Sequence, residues 1–305
     1  MEAEAASRPR SGAASLGLLA LVILIWGANW PVMKMALTYM PPLTFAAARM
    51  VMGVAIMFPL AWATGALRWP TANDWRLVVM VALMQMAGFT ALVITALQYV
   101  PAGRSAILAY TTPLWVTPGA VLLLGEHIGR MKAAGLGLGL AGVGVLFNPF
   151  GFDWGKPEVL VGNGLLLLAA FLWAALMLRI RGHRWDGSPL SLMPWQLAIA
   201  AAILVPTALI VEGSRPIDWS WPLGAFLFYN GPLATAFCFW AIITVNRSLP
   251  AITTSLGTLG VPAFGLAVSA LALGEPLTFT NTGGLALILS GLVLVTLADR
   301  RRAAG

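Results

Sequence analysis

Residues 24–35 read LIWGANWPVMKM, which sets an amide, two indoles, two thioethers and a lysine into an otherwise apolar run. On a helix Trp26, Asn29, Trp30 and Met33 lie three or four residues apart and share a face. An amide there can bond a carboxylate or an ammonium, and an indole can stack on an aromatic ring or face a cation. These groups suit a small zwitterion with an apolar side chain, so Trp26 and Asn29 are candidate substrate contacts. Helix packing with an interfacial aromatic belt accounts for the same face without any ligand. Gly27 allows close approach by another helix, and Pro31 removes a backbone hydrogen bond and can kink the span. These two residues, with Trp30 and Lys34, are assigned to structure or gating, the Lys34 amine snorkelling outward.

Similar groups recur downstream. Gln85 and Phe89 are four residues apart, as are Trp173 and Met177, while Phe237 and Trp240 are three apart. Tyr110, Thr111, Thr112, Pro113 and Trp115 crowd hydroxyls and helix breakers together. Unwinding there would expose carbonyls to a ligand, and proline kinks packed in protein are the alternative. The expected substrate-binding set is therefore Trp26, Asn29, Gln85, Phe89, Tyr110, Trp115, Trp173, Met177, Phe237 and Trp240. Arg49 is costly in a membrane span and needs partners. Helix carbonyls, an anion bridging to the Lys34 region, or a substrate carboxylate would serve. With Pro113, Glu126, Pro262 and Glu275 it is placed in the structural or gating group, the two glutamates as caps or clamps of short loops.

Several chemistries have no residues to carry them. There is no GxxxxGK[ST] loop and no HExxH pattern, and Cys238 is the single cysteine. The two histidines fall in separate loops, and no serine has an acid–base partner. No cofactor, metal or enzymatic activity is expected.

The elements that position these residues must be membrane helices. The 305 residues are 59% hydrophobic and 10% charged, against about one quarter charged in a soluble domain. The mean hydropathy is +0.86. Apolar runs predict helices at 16–36, 43–64, 75–96, 101–124, 131–148, 159–180, 190–211, 220–244, 250–273 and 281–298, each near the length that crosses ~30 Å of hydrocarbon. The net charge of +7 is spread in short clusters between these runs, which argues against a nucleic-acid partner and for topology signals. With an inside amino terminus, 13 of 18 basic residues, including Arg8, Arg10, Arg130, Arg181 and Arg300, fall on the inner side. Both termini are therefore expected in the cytoplasm.

Residues 122–146 and 271–295 match at an offset of 149: Gly125 with Gly274, Glu126 with Glu275, Gly135 with Gly284 and Gly142 with Gly291. The expected architecture is an all-α polytopic membrane protein of ten transmembrane helices in two inverted five-helix repeats, the arrangement of many secondary transporters. Its parts are a disordered cytoplasmic leader (1–15), a first repeat (16–148), an external linker (149–158), a second repeat (159–298) and a basic cytoplasmic tail (299–305).

The Trp26–Gly27 pair with Asn29 and Lys34, the early Arg49, the TTPLW stretch at 111–115 and the two Gly–Glu pairs together resemble the ten-helix EamA-type members of the drug/metabolite transporter superfamily. The resemblance covers nearly the whole chain. It departs in the second half, where Trp173 is followed by Ala174 and Arg49 has no clear counterpart. It implies an inner-membrane permease that exports small metabolites by alternating access through a central cavity, and is similar to bacterial exporters of aromatic and neutral amino acids. The implied partners are a zwitterionic amino acid and membrane lipid, with a monomer sufficient. A permease of the same fold for a purine, carboxylate, quaternary amine or drug is the alternative, with a non-transporting scaffold behind it.

Overall fold

The computed structural model describes residues 12–124, 129–147, 157–180, 183–248, 257–258 and 260–304. Glu126, most of the leader and most of the 149–158 linker lie outside the described residues. The helices are α1 (Gly12–Ala36), α2 (Pro42–Ala63), α3 (Ala72–Val81), π1 (Ala82–Phe89), α4 (Thr90–Ala96), α5 (Ala102–Ala109), α6 (Thr112–Leu124), α7 (Arg130–Phe147), α8 (Pro157–Ile180), α9 (Pro189–Val211), α10 (Trp221–Phe228), π2 (Tyr229–Phe237), α11 (Cys238–Ser248), α12 (Gly260–Leu273) and α13 (Phe279–Ala304). The elements π1 and π2 are wide-turn π-helical segments inside longer helices, with starts 147 residues apart (229 − 82).

Among the described residues six helices are long and apolar enough to cross a membrane: Ala13–Ala36, Pro42–Ala63, Ala72–Ala96, Pro157–Ile180, Pro189–Val211 and Trp221–Ile242. This corrects the expectation of ten transmembrane helices in two inverted five-helix repeats. The expected span 101–124 is broken in two. Helix α5 stops at Ala109, Tyr110 caps it at φ −86°, ψ 11°, and α6 starts at Thr112. The Thr111 hydroxyl donates to the Leu108 carbonyl (2.7 Å) and the Thr112 hydroxyl to that of Ala109 (3.3 Å). Such bonds compete with the helical ladder, and Pro113 adds no N–H to restore it. The pieces of 8 and 13 residues reach only about 12 and 20 Å at ~1.5 Å per residue, short of ~30 Å. In the other three expected spans the apolar helices among the described residues are Ala133–Leu146, Gly260–Leu273 and Phe279–Val295, none longer than 17 residues.

Helix α1 packs on α11, α12 and π2; α2 on α9 and π2; α8 on π1, α4, α5 and α6. Helices α7 and α13 pack mainly on each other. A Cβ on Gly135 would meet the Gly291 carbonyl oxygen at 2.7 Å, and one on Gly142 that of Gly284 at 2.8 Å. The pairing of 135 with 291 and 142 with 284 makes the two helices antiparallel, with contact close enough to touch backbones. The outer surface is apolar, with Leu122, Ile210 and Leu271 more than four-fifths exposed. Exposed Trp62, Trp69, Trp219 and Trp221 stand at or just beyond helix ends, where amphipathic indoles sit at a membrane interface.

Charged side chains tie these helices together at their ends. Glu212, after α9, accepts from the backbone N–H groups of Leu43 (2.8 Å) and Thr44 (2.7 Å) and from the Thr44 hydroxyl (2.7 Å), capping α2. Glu275 accepts from the N–H groups of Ala102 (2.6 Å) and Gly103 (2.9 Å), capping α5. Each satisfies donors that a helix start leaves open.

Candidate functional site

The face of α1 that carries Trp26, Asn29 and Met33 meets α2, π2 and α11. The Trp26 indole N–H donates to the Ala234 carbonyl at 2.9 Å, and its ring stands edge-on to Phe239 with centroids 5.6 Å apart. Phe237 and Trp240 stack at a tilt, 6.0 Å apart, beside the small cluster of Val22, Cys238 and Ala241. The Tyr229 hydroxyl donates to the Ile25 carbonyl at 2.8 Å. Asn29 is 5% exposed, and its Oδ1 is buried without a hydrogen-bond partner.

Arg49 lies on α2 beside this face and is 8% exposed. Its Nε and Nη2 both donate to the Thr235 hydroxyl (3.1 and 3.0 Å), and its Nη1 to the Met33 sulfur (3.4 Å). The Thr235 hydroxyl donates onward to the Asn230 carbonyl at 2.7 Å, five residues back along π2. Among the described residues no carboxylate pairs with Arg49.

The remaining expected site residues divide. Phe89 on π1 stands edge-on to Trp173 on α8, centroids 4.6 Å apart, and Trp115 on α6 faces Phe171 at 5.9 Å. The Trp115 Nε1 is buried without a partner. Gln85 lies on π1 half-buried, and Tyr110 is half-buried against the main core. Met177 is 44% exposed, unlike the half-buried Trp173 one turn before it. Pro113 lies in the first turn of α6, and Pro262 is buried in α12. Gly27 and Trp30 turn toward α12: a Cβ on Gly27 would meet Phe264 at 2.7 Å, and Gly265 approaches the Trp30 ring. Pro31 is buried within α1, which continues to Ala36. The Lys34 amine donates to the carbonyls of Leu97 (2.6 Å) and Val100 (2.9 Å), closing the carboxyl end of α4.

Sequence reasoning passed over Thr235, Glu212 and Asn163. A threonine in an apolar helix is common, so only its position against Arg49 singles out Thr235. Glu212 ends an apolar run as Glu275 does, and that shared placement was its signal. Asn163 on α8 is fully buried with neither amide atom partnered, and an asparagine inside an apolar stretch was visible in the sequence. Unpartnered buried polar atoms are rare in finished structures and mark places where a ligand or water completes the bonding.

A sequence model of the EamA-like transporter family matches residues 14–148 and again 160–297. The uncharacterized transporter YvbV of Bacillus subtilis is 30% identical over 290 residues, spanning 94% of this chain and 93% of its own. A probable amino-acid metabolite efflux pump of Salmonella typhimurium is 28% identical over 300 residues, covering 94% of this chain and 96% of its own. A solved crystal structure, 23% identical, aligns with 95% of this chain and 99% of its own at a TM-score of 0.65, a likeness of fold alone.

Proposed function

The chain belongs to the EamA-like transporter family as a multi-pass membrane permease, and we propose that it exports small neutral or aromatic amino acids and related metabolites across a bacterial inner membrane. The observation that carries this reading is the α1 face: an indole, Trp26, two turns from the Arg49 contact at Met33, with the buried, unpartnered Oδ1 of Asn29 between them. An apolar ring and a polar acceptor on one buried helix face match a zwitterion with an apolar side chain. The Salmonella typhimurium relative, a probable amino-acid metabolite efflux pump, supports the same class. Phe89, Trp173, Trp115, Phe237 and Trp240 supply further aromatic surface, and Gln85 and Tyr110 further polar groups. Movement is by alternating access, with no ATP-binding loop in the chain. The basic clusters at 8–10 and 300–302 support a cytoplasmic location for both termini.

Transport into proteoliposomes of purified protein, with labelled amino acids, amines and nucleobases as a panel, tests the reading. Saturable movement of phenylalanine or tryptophan is expected. Trp26→Ala should lower its kcat/KM by about tenfold or more while the protein still elutes as a folded species, because both ring and N–H contact are lost. Robust movement of a nucleobase or an amine, with none of any amino acid, would give the substrate class to another metabolite.

A further inference from the structure

Arg49 is a buried guanidinium held only by neutral partners among the described residues. It sits seven residues into α2, about 10 Å along the helix from Pro42. A guanidinium in a membrane interior is costly unless its charge and donors are met. It carries five N–H donors. Three contacts are made, two of them to one hydroxyl and the third to a thioether, which is a weak acceptor. Two N–H groups and the whole charge are left unanswered among the described residues. Thr235 cannot answer the charge, being neutral, and its own proton is committed to the Asn230 carbonyl.

The neighbouring deficit has the opposite sense. Asn29 lies one turn before Met33 on α1, and its buried Oδ1 is an acceptor without a donor. Trp26 lies nearly a turn further back. Along one helix face the order is therefore an under-bonded cation at Met33, an unused acceptor at Asn29 and an aromatic surface at Trp26. Successive turns are separated by ~5.4 Å.

We propose that Arg49 is the carboxylate anchor for the transported molecule, with Asn29 Oδ1 accepting from its ammonium and Trp26 bordering its side chain. The planar fork of the guanidinium matches a carboxylate in a two-bond arrangement. The Nη1 edge is where it would bind, since Nε and Nη2 are taken by the Thr235 hydroxyl and Nη1 meets only the Met33 sulfur. The assignment rests on the transporter reading above and narrows it: substrates of this chain carry a carboxylate, and quaternary amines and uncharged drugs are excluded.

Binding to the full-length protein in detergent, by competition and by ligand-induced thermal stabilisation, tests the assignment with phenylalanine, phenylalaninamide, 3-phenylpropionate and phenethylamine as probes. The wild type should prefer phenylalanine to phenylalaninamide by about tenfold or more, as expected for loss of a charge-assisted bond. In R49Q that ratio should fall toward one, and R49K, which keeps the charge without the fork, should lie between. The ratio is internal to each protein, so a purely structural Arg49 would lower stability and leave it unmoved. R49K guards against a failure of R49Q to fold. A wild-type preference that persists in both variants overturns the anchor and leaves the exporter reading standing. Wild-type binding of phenylalaninamide as tight as that of phenylalanine overturns the anchor alone, and binding of phenethylamine with none of phenylalanine or 3-phenylpropionate overturns both.

Discussion

Three ionic side chains, Glu212, Glu275 and Lys34, act on helix ends. The Glu212 carboxylate takes three donors at the start of α2, and nothing else among the described residues takes them. Glu212→Ala should therefore lower the melting temperature in detergent, at a cost of about 1–3 kcal/mol for donors stranded at the helix start. Glu212→Gln keeps one acceptor oxygen and should fall between. An unchanged melting curve for the alanine variant would show that water replaces the cap. Lys34 does the complementary work at the carboxyl end of α4, reaching two carbonyls instead of the solvent to which a snorkelling amine would extend. The residue types on the α1 face were legible because helical spacing alone aligns Trp26, Asn29 and Met33. Their partners were not: Ala234 and Thr235 lie more than 180 positions from Trp26 and Arg49, and no local pattern announces such a meeting.

At the scale of elements, glycines separate contact from exposure within a single helix. In α7, Gly135 and Gly142 face backbone atoms of α13, while Gly137 and Gly144 have nothing within 4 Å of where a methyl group would stand. Gly142→Ala should destabilise the protein by about 1–3 kcal/mol, since a backbone neighbour cannot rotate away. Gly144→Ala should be neutral or stabilising, by up to about 1 kcal/mol from helix propensity. Thermal unfolding of the two single variants decides, and equal effects would contradict the close α7–α13 contact. The same scale is where the span count went astray. Hydropathy over 101–124 is continuous, but Thr111 and Thr112 spend their hydroxyls on the preceding turn and the helix stops. The π1 and π2 segments were likewise invisible, because a wide turn preserves composition and shifts only the hydrogen-bond register.

The whole molecule is also held by a clamp between distant segments. Asp74, fully buried at the start of α3, accepts from the Gly187 N–H (2.8 Å) and the Asp186 N–H (3.3 Å) and meets His183 Nε2 at 3.1 Å. Thr71 donates to Asp186 at 2.7 Å, so the 183–187 loop is bound to the entry of α3. Asp74→Ala should free that loop and speed tryptic cleavage after Arg184 several-fold, on the view that local opening controls cutting. Cleavage at the wild-type rate would mean that the loop is held by other contacts. Composition by itself determined that this chain lives in a membrane, because a tenth of its residues charged cannot coat a soluble fold. The ordered short motifs determined its family and its class as a permease. Only the tertiary structure decided which of the described helices are long enough to cross, and that Arg49 lies buried against a hydroxyl and a sulfur with no acid beside it among the described residues. Hydrophobicity is a sum over local residues, whereas the bonding of a buried charge depends on which distant backbones are brought around it.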